Sequence, residues 1–454
     1  MKCVLTSIFI LLLTLSYGQD QGPVTAKEIV FRNVNVIPMD REQVLENQTV
    51  VVKDGRITAL TPAGKARYSK DAILVEAKGK YLMPGLAEMH AHVPPVNDLE
   101  PMKEVLLLFA ANGITTIRGM LGHPRHLELR SKIKSQEILG PHFYTTGPSF
   151  SGQSVKTPEQ AAAMVREQKQ AGYDYLKLHP GLSRANFDAL AQAAKAVNIP
   201  FVGHVSFEVG IWHAIESGYS SIDHLDGFVE GLVPGIEKMD GQQTGLFGMF
   251  VAGKADTGQI PRLMQGLKAS DIWVVPTQAL AERWFAPVPP EHFLQAPEMV
   301  YMAPAVRRNW ENSKRSLQDD PRYDAAKMQQ YIQLRRQLIL ACQQNGVGLL
   351  LGCDAPQVFN VPGFSTHQEL QYLVAAGLTP YQALRTGTVN VAAYLNQAMA
   401  SGTVKVGAVS DLILLPGNPL ADITQTQQIE GVMLGNRWLT KAYLQQELKK
   451  LEKN

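Results

Sequence analysis

The sequence of 454 residues predicts an α/β fold: a (β/α)8 barrel of the TIM type with a small β-sandwich domain built from both chain ends. Two observations predict it. Short apolar segments bounded by Gly or Pro alternate with helical patterns through the middle of the chain. Segments at both ends instead alternate apolar and polar residues, as half-buried strands do. A doubly wound open sheet is the alternative for the middle region.

The first 18 residues have the pattern of a secretory signal peptide. A positive charge at Lys2 precedes a mainly apolar run over 4–15, and small residues follow at Ser16 and Gly18. The alternative is a retained anchor, but the run is shorter than the ~20 residues that span a bilayer. We therefore expect a secreted or periplasmic protein without a stable membrane anchor.

The two ends of the mature chain are predicted to form one composite β-sandwich domain from residues 24–82 and 401–445. A Lys-Asp-Gly turn at 53–55 joins two of its strands. Four segments carry the alternating pattern: 29–39, 48–60, 410–417 and 429–439.

Residues 83–400 are predicted to form the barrel. The helix over 157–172 illustrates the intervening pattern, because it begins with Thr157 as a cap and Pro158 in the first turn. Eight segments are predicted as the strands: 82–92, 113–120, 142–150, 173–180, 199–205, 220–227, 272–280 and 347–356. Functional groups of such barrels lie at the carboxyl ends of the strands.

Composition excludes several classes of protein. There are 43 Lys and Arg against 41 Asp and Glu, so the net charge of +2 gives no electrostatic case for binding nucleic acid. Three cysteines exclude a disulfide scaffold. Export would leave Cys342 and Cys353, which could form a bridge; their apolar surroundings favour two buried thiols.

Groups able to bind a metal fall at the predicted ends of five strands. The candidates are His90, His92, Lys177, His204, His224 and Asp354. A single such histidine is more often structural, and Asp354 could cap a turn. Lys177 is more informative, because a lysine inside an apolar strand is costly unless it pairs with a carboxylate or points outward. Tyr175 and His179 share its face of the strand and the leucines between them share the other, apolar face, so Lys177 is predicted to point into the barrel. The coincidence of six such groups favours a metal site.

These motifs together resemble the amidohydrolase superfamily, in particular its imidazolonepropionase-like and prolidase-like branch. The resemblance covers nearly the whole mature chain. It is carried by the segments 83–93, 113–120, 172–179, 201–205, 218–227, 274–280, 351–356, 364–395 and 402–420.

The resemblance implies two divalent metal ions. Imidazole and carboxylate ligands suit zinc, and manganese, cobalt and iron are the alternatives. His90, His92 and Asp354 would bind one ion, and His204 and His224 the other. Lys177 would bridge both ions as a carbamate formed with CO2. Asp354 would act as general base and then general acid for a metal-activated hydroxide. The substrate would be a small-molecule amide: a dipeptide, an N-acyl amino acid or a cyclic amide.

Three other functions remain open on the same sequence. A lactonase or organophosphate hydrolase would use the same metals, whereas a mononuclear deaminase or imidazolonepropionase would not need Lys177. A non-catalytic binding protein would be expected to have lost some of the six groups. Homo-oligomer formation is left open.

The sequence departs from the family in places that bear on substrate recognition. Gly119 stands where many relatives have an acid, and Ser206 stands where prolidase-like members often have Tyr. Arg118, His123, His179 and His367 are candidate substrate contacts, although a Thr366–Glu369 capping box would make His367 structural.

A long insertion at about 228–325 is predicted either as a lid over the metal site or as packing on the outside of the barrel. Four aromatic residues of the insertion would suit an apolar substrate: Trp284, Phe285, Phe293 and Tyr301.

Overall fold

The computed structural model describes residues 22–453, so the predicted signal peptide and Cys3 lie outside the described residues. Within that range, the helices are all too short or too polar to cross a membrane. The strands are β1 Val24–Thr25, β2 Glu28–Val36, β3 Leu45–Lys53, β4 Arg56–Pro62, β5 Ile73–Glu76, β6 Tyr81–Pro84, β7 Leu86–Ala91, β8 Ile114–Gly119, β9 His142–Thr145, β10 Leu176–Leu178, β11 Phe201–Gly203, β12 Ser221–Asp223, β13 Trp273–Val275, β14 Leu412–Leu415, β15 Gly431–Leu434 and β16 Arg437–Thr440.

The α-helices follow most of the parallel strands. They are α1 Glu100–Ala111, α2 Pro124–Lys134, α3 Pro158–Ala171, α4 Arg184–Val197, α5 Gly210–Ser217, α6 Phe228–Gly231, α7 Gly241–Thr244, α8 Ile260–Ala269, α9 Gln278–Trp284, α10 Pro290–Leu294, α11 Pro304–Gln318, α12 Ala325–Asn345, α13 Phe364–Ala375, α14 Pro380–Thr386, α15 Val389–Tyr394 and α16 Lys441–Lys450. The predicted Thr157 cap accepts a hydrogen bond from the backbone of Gln160 at the start of α3.

One sheet takes strands from both ends of the chain. Its order is β1-β16-β15-β14-β6-β2-β3-β4, with β5 pairing on β2. The junction between the two ends is antiparallel, with Ile413 of β14 opposite Met83 of β6. The sheet has a core of its own, in which Phe31 packs edge-on against Trp438 at 5.1 Å between ring centroids. All nine strands form one hydrogen-bonded sheet, so a two-layered sandwich stays a prediction.

The middle of the chain forms parallel sheets with helices packed against them, which confirms the α/β class. Strands β7, β8 and β9 form one sheet, and β10 to β13 form another in chain order. Parallel bridges connect the segment that follows β9 with β10 and the residue before it, between Thr146 and Tyr175 and between Phe150 and Leu178.

The segment predicted as the eighth strand has backbone bonds on both sides but is not a regular strand. The N–H of Leu350 donates to Val274 of β13, and the N–H of Met89 in β7 donates to Leu351. Its regular course ends at Asp354, whose φ of 64° is incompatible with a β-strand. Cys342 and Cys353 are buried free thiols, as the sequence favours.

Candidate metal centre

The predicted metal-binding side chains come together at the carboxyl ends of the parallel strands. They are His90 in β7 and His92 just beyond it, Lys177 in β10, His204 after β11, His224 after β12 and Asp354 after the segment 348–351. His90, Lys177 and His224 are almost inaccessible to solvent. His92 at 13 %, His204 at 10 % and Asp354 at 9 % are the more exposed, so the cluster opens to solvent on their side.

Asp354 lies among three histidines. Its Oδ1 is 2.7 Å from His92 Nε2 and 3.4 Å from His90 Nε2, and its Oδ2 is 3.9 Å from His224 Nδ1. Ligand atoms of His90, His224 and Asp354 all lie within 4.8 Å of one another. Imidazole nitrogens and a carboxylate at this spacing are a donor set suited to a divalent transition metal.

His204 and His224 lie side by side in the cluster, and each ring is held through Nδ1. His204 Nδ1 lies 2.9 Å from Asp226 Oδ2, and His224 Nδ1 lies 2.9 Å from Thr277 Oγ1. The two rings are 4.5 Å apart between centroids. Such a bond at one nitrogen fixes the orientation of the ring and leaves the other nitrogen for a metal.

Lys177 is completely buried, and the carboxylate nearest to it is one that sequence reasoning missed. Its Nζ is 3.6 Å from Asp223 Oδ2, the same oxygen that lies 3.0 Å from His90 Nδ1. Burial lowers the pKa of the Lys177 amine, against the opposing effect of Asp223 and Asp354. Asp223 was detectable in principle, because it is an acid inside an otherwise apolar strand, next to His224.

Several buried polar atoms of this cluster make no hydrogen bond of normal geometry within the described residues. They are His90 Nδ1, His92 Nε2, Lys177 Nζ, Asp223 Oδ2 and Asp354 Oδ1. These atoms lie close to one another, as His92 Nε2 and Asp354 Oδ1 do at 2.7 Å, but without the geometry of hydrogen bonds, and buried polar atoms normally have such bonds. This concentration of ligand-type atoms without hydrogen bonds fits a site for metal ions.

The surroundings of three histidines, His90, His204 and His224, favour the neutral imidazole that a metal requires. Burial and the nearby Lys177 lower the pKa of His90 and His204 well below the usual value. Burial lowers the pKa of His224 in the same way, with His90 and His204 adding to the effect. All three imidazoles are therefore neutral near pH 7, with a lone pair available.

A buried arginine from a distant helix supports the His224 end of the site. His224 has a left-handed backbone, with φ of 64°, which is unusual for a residue other than glycine. Arg335 of α12 donates from Nη1 to the carbonyl of His224 at 2.6 Å and from Nη2 to that of Pro276 at 2.7 Å. The arginine thereby links the ends of two neighbouring strands.

Glu88, which sequence reasoning also missed, links the first and last strands behind the cluster. Its Oε1 accepts from the N–H of His90 at 3.1 Å and of Cys353 at 2.9 Å, and its Oε2 accepts from the Thr366 hydroxyl at 2.8 Å. Each backbone donor is at or next to a predicted metal ligand. The only signal in the sequence was an acid in an apolar strand two residues before His90.

The candidate substrate contacts have different locations. His179 stacks on His204 with ring centroids 5.1 Å apart, which puts it at the cluster. Arg118 is fully buried and donates to Asp223, to Ser221 and to the Tyr394 hydroxyl. His123 caps α2 by accepting from the backbone of Arg125.

His367 is buried away from these groups, with Nε2 2.9 Å from the Asn112 carbonyl. The predicted Thr366–Glu369 capping box is wrong. Gly363 is the N-cap of α13, and Glu369 instead accepts from the backbone of Gln278 and Ala279. The cause is tertiary, because α9 supplies donors that local sequence cannot reveal.

The insertion reaches the cluster through an aromatic residue other than those predicted. The Phe247 ring is 4.9 Å from that of His224 and 5.9 Å from that of His204, nearly parallel to both. Of the predicted aromatics, Phe293 stacks on Phe359, and Tyr301 stacks on Phe364. Trp284 and Phe285 stack on each other, and Phe285 packs edge-on behind Phe247.

The sequence matches a family model over most of its length. The model described as the amidohydrolase family matches residues 81–439, which contain every residue of the cluster described above.

Curated relatives match only locally. An ochratoxinase from Aspergillus niger is 36% identical over 89 residues, 19% of this chain and 18% of the relative. A 5'-deoxyadenosine deaminase from Methanosarcina acetivorans is 38% identical over 66 residues, 14% of this chain and 15% of the relative. The matched sequence segments thus cover less than a fifth of the length of these two relatives.

Solved structures match over nearly the whole chain. A putative prolidase from Bifidobacterium longum has a TM-score of 0.68 at 20% identity, and the match covers 94% of this chain and 100% of the prolidase chain. Bottromycin amidohydrolase has a TM-score of 0.69 at 21% identity, and the match covers 94% of this chain and 90% of the other chain. For ochratoxinase from A. niger the TM-score is 0.64 at 20% identity, and the match covers 91% of this chain and 96% of the ochratoxinase chain. At these identities the similarity establishes a shared fold.

Proposed function

The chain belongs to the amidohydrolase family, and on that premise we propose that it is a metal-dependent hydrolase of amide bonds in small molecules. The observation that carries the proposal is the group of five buried ligand-type atoms at the strand ends, which approach one another without a hydrogen bond of normal geometry in the described part of the chain. Dipeptides, N-acyl amino acids and cyclic amides are the substrate classes considered. The proteins with similar structures include a putative prolidase, an ochratoxinase and bottromycin amidohydrolase, and these names agree with the proposed classes of amide substrate.

Two divalent ions, most simply zinc, would be held by this donor set. His90, His92 and Asp354 would bind one ion, and His204 and His224 the other. Lys177 would join the two sites as a carbamate, formed when its neutral amine adds CO2 and loses a proton. Burial favours this reaction, because it lowers the pKa of the amine and so supplies the neutral form. A mononuclear deaminase would have no use for Lys177 within the cluster.

Each residue has a definite part in the proposed hydrolysis. Bound divalent ions supply a lowered pKa for water and polarisation of the substrate carbonyl. Asp354 accepts a proton from the attacking water while the oxygen of that water bonds to the carbonyl carbon of the substrate. The same carboxyl then gives the proton to the amide nitrogen as the C–N bond breaks, leaving a carboxylic acid and an amine. Asp226 and Thr277 keep the rings of His204 and His224 in place.

The parallel strands are proposed to close into one (β/α)8 barrel. The bridge between Thr146 and Tyr175 supports a junction of the two parallel sheets. Bonds from the 348–351 segment to Val274 on one side and to Met89 on the other support closure through the eighth position. Residues 24–82 and 401–445 would form the accessory β-domain, and residues 1–18 would direct export to a secreted or periplasmic location.

A hydrolysis screen with one paired variant tests the proposed function. Zinc-loaded protein is assayed on dipeptides, N-acyl amino acids, cyclic amides and lactones, beside Asp354→Asn and the control Asp71→Asn, whose side chain is exposed. We expect amide hydrolysis that falls roughly 100-fold or more in Asp354→Asn, with metal content largely kept and Asp71→Asn unchanged. Exclusive lactone hydrolysis, or near-normal turnover by Asp354→Asn, would contradict the proposal.

A further inference from the structure

We propose that the cavity next to His204 and His224 binds a bulky apolar group, of aromatic size, on the amide substrate. This inference rests on the proposed function and narrows its substrate class. The cavity has a volume of about 390 Å³ and lies between the loop after β11 and the start of the insertion. That volume is in the range of about 300–1,000 Å³ usual for small-molecule sites.

The walls of the cavity are chiefly apolar. The lining side chains that would contact such a group are Val209, Ile211, Trp212, Ile236, Leu246 and Phe247. Trp212 is held in place by a bond from Nε1 to the Gly231 carbonyl at 3.2 Å and by Arg262, whose guanidinium lies 4.3 Å from the ring centroid. Aromatic and aliphatic walls favour an apolar ligand, because binding removes the apolar surface of both the ligand and the walls from water.

The cavity shares walls with the metal centre. Phe247 lines the cavity and stacks on both His204 and His224. Asp226 also lines the cavity, and its Oδ2 is the atom that holds His204. The cavity and the two histidines thus lie on opposite sides of Phe247 and Asp226, and the proposal requires a substrate at the histidines to extend past the Phe247 ring into the cavity.

The mouth of the cavity exposes apolar surface. Phe207 is 36 % exposed and Leu246 is 42 % exposed, and both line the cavity. They are two of only seven large apolar residues that are exposed in the described part of the chain. Exposed large apolar residues that lie together, as Phe207 and Leu246 do at this opening, are more typical of a binding surface than isolated ones are.

Glu230, one of the acidic residues in this wall, does not oppose an apolar ligand. Glu230 lines the cavity, and its Oε2 has no hydrogen bond of normal geometry in the described residues. Burial, and secondarily Asp226, raises the pKa of Glu230 to about 8. The carboxyl is therefore mostly uncharged near pH 7. Arg184 at the edge is paired with Asp188 at 3.4 Å.

Substrate pairs that differ only in side-chain size test the inference. N-acetyl-alanine and N-acetyl-phenylalanine, and the corresponding pair within any other amide class that is hydrolysed, are compared by kcat/KM with zinc-loaded enzyme. We expect the aromatic member to be favoured roughly ten-fold or more, the gain from burying a phenylalanine-sized group. Equal kcat/KM for the two members would overturn the inference.

Mouth variants assign the preference to this cavity. Leu246→Ser and Phe207→Ser should each lower the ratio of kcat/KM for the aromatic substrate to kcat/KM for the alanine substrate roughly five-fold. Leu74→Ser, at a leucine 46 % exposed in β5, is the matched control and should affect neither. Equal losses on both substrates would overturn the inference. Conversion of a dimer to a monomer by Leu246→Ser would reassign the surface to a contact between copies of the chain.

A binding assay separates failure of this inference from failure of the proposed function. 3-Phenylpropionate is titrated into the protein while tryptophan fluorescence is recorded, with Trp212→Phe to identify the reporting residue. Binding that changes the fluorescence of Trp212, without hydrolysis of any amide, would support the cavity and contradict the proposed function. Amide hydrolysis without this binding and without aromatic preference would overturn the inference alone.

Discussion

The amine of Lys177 lies 3.6 Å from Asp223 Oδ2, and both side chains are fully buried. Asp223 is also shared with Arg118, at 3.3 Å, and with His90, at 3.0 Å. One carboxylate thus faces two basic side chains and an imidazole. The positive charge of a protonated Lys177 would be poorly balanced here, because Arg118 and His90 share the same carboxylate. The negative charge of a carbamate on Lys177 would be balanced by two bound cations.

Replacing Lys177 tests this account of charge. Lys177→Met keeps the approximate side-chain length but removes the group proposed to bridge the ions. We expect metal content to fall by about one ion per chain or more and turnover to fall at least roughly 100-fold. Elemental analysis of the folded variant measures the first effect. Lys78→Met, at an exposed lysine, is the control, and full metal content in Lys177→Met would refute the bridging role.

Gly203 allows the backbone to approach Lys177 closely. Its φ is 119°, and a Cβ there would lie 2.4 Å from the Leu178 carbonyl oxygen and 2.9 Å from Lys177 Cδ. Gly203→Ala should therefore destabilise the protein by about 2 kcal/mol or more and reduce its metal content. Gly253→Ala is the matched control, because nothing lies within 4 Å of its added Cβ. Thermal unfolding and elemental analysis give both readouts, and equal behaviour of the variants would contradict this prediction.

Arg335 is expected to act as a positioning residue for His224. Arg335→Lys keeps the charge but cannot reach the carbonyls of His224 and Pro276 together with Gln278. We expect a loss of roughly 3 kcal/mol in stability and weaker binding of one metal ion, measured by competition with a chromogenic chelator. Arg336→Lys, one residue along α12 at an arginine 24 % exposed, should change stability by less than about 1 kcal/mol. If Arg335→Lys bound metal as tightly as the wild type in the chelator competition, the positioning role would be contradicted and only a structural role would remain for Arg335.

Buried histidines outside the cluster predict acid sensitivity of the fold. Burial lowers the pKa of His367 from 6.5 to about 4. A lowered folded-state pKa gives stability that is present above pH 6.5 and is lost as pH falls towards 4, here roughly 3 kcal/mol. His367→Gln, which can still donate to Asn112, should make the decline of Tm over this range shallower.

His142→Gln is the contrasting variant for this pH series. The side-chain bond to Asp411 raises the pKa of His142, so its contribution is present below pH 6.5 and lost as pH rises. Its replacement should not make the acid decline shallower. Identical pH profiles for wild type and His367→Gln would show that His367 does not titrate as its buried position requires.

Strand alternation in the sequence predicted part of the site. Lys177 was predicted to point inward because Tyr175 and His179 share its face while the intervening leucines face the other way, and the structure has Lys177 fully buried beside Asp223. The composite β-sheet followed from the same pattern at both chain ends. That Lys177 binds metal stays a prediction, because ligand roles depend on ions that side-chain geometry alone does not identify.

Other parts of the site depend on contacts between distant segments. Arg335 meets His224 across 111 residues, and neither local pattern suggests the pairing. Phe247 reaches the histidines because its own φ of 54°, between Gly245 and Gly248, turns the chain inward. The predicted aromatic residues were chosen for local richness instead, and they pack with one another and with the core.

The number of divalent ions bound per chain tests the central claim most directly. Protein purified without chelators, and chelator-stripped protein reloaded with zinc and bicarbonate, are measured by elemental analysis against protein concentration. The account predicts about two ions per chain for wild type. A plateau at one ion that is indifferent to Lys177→Met, or no bound metal in either preparation, would contradict it.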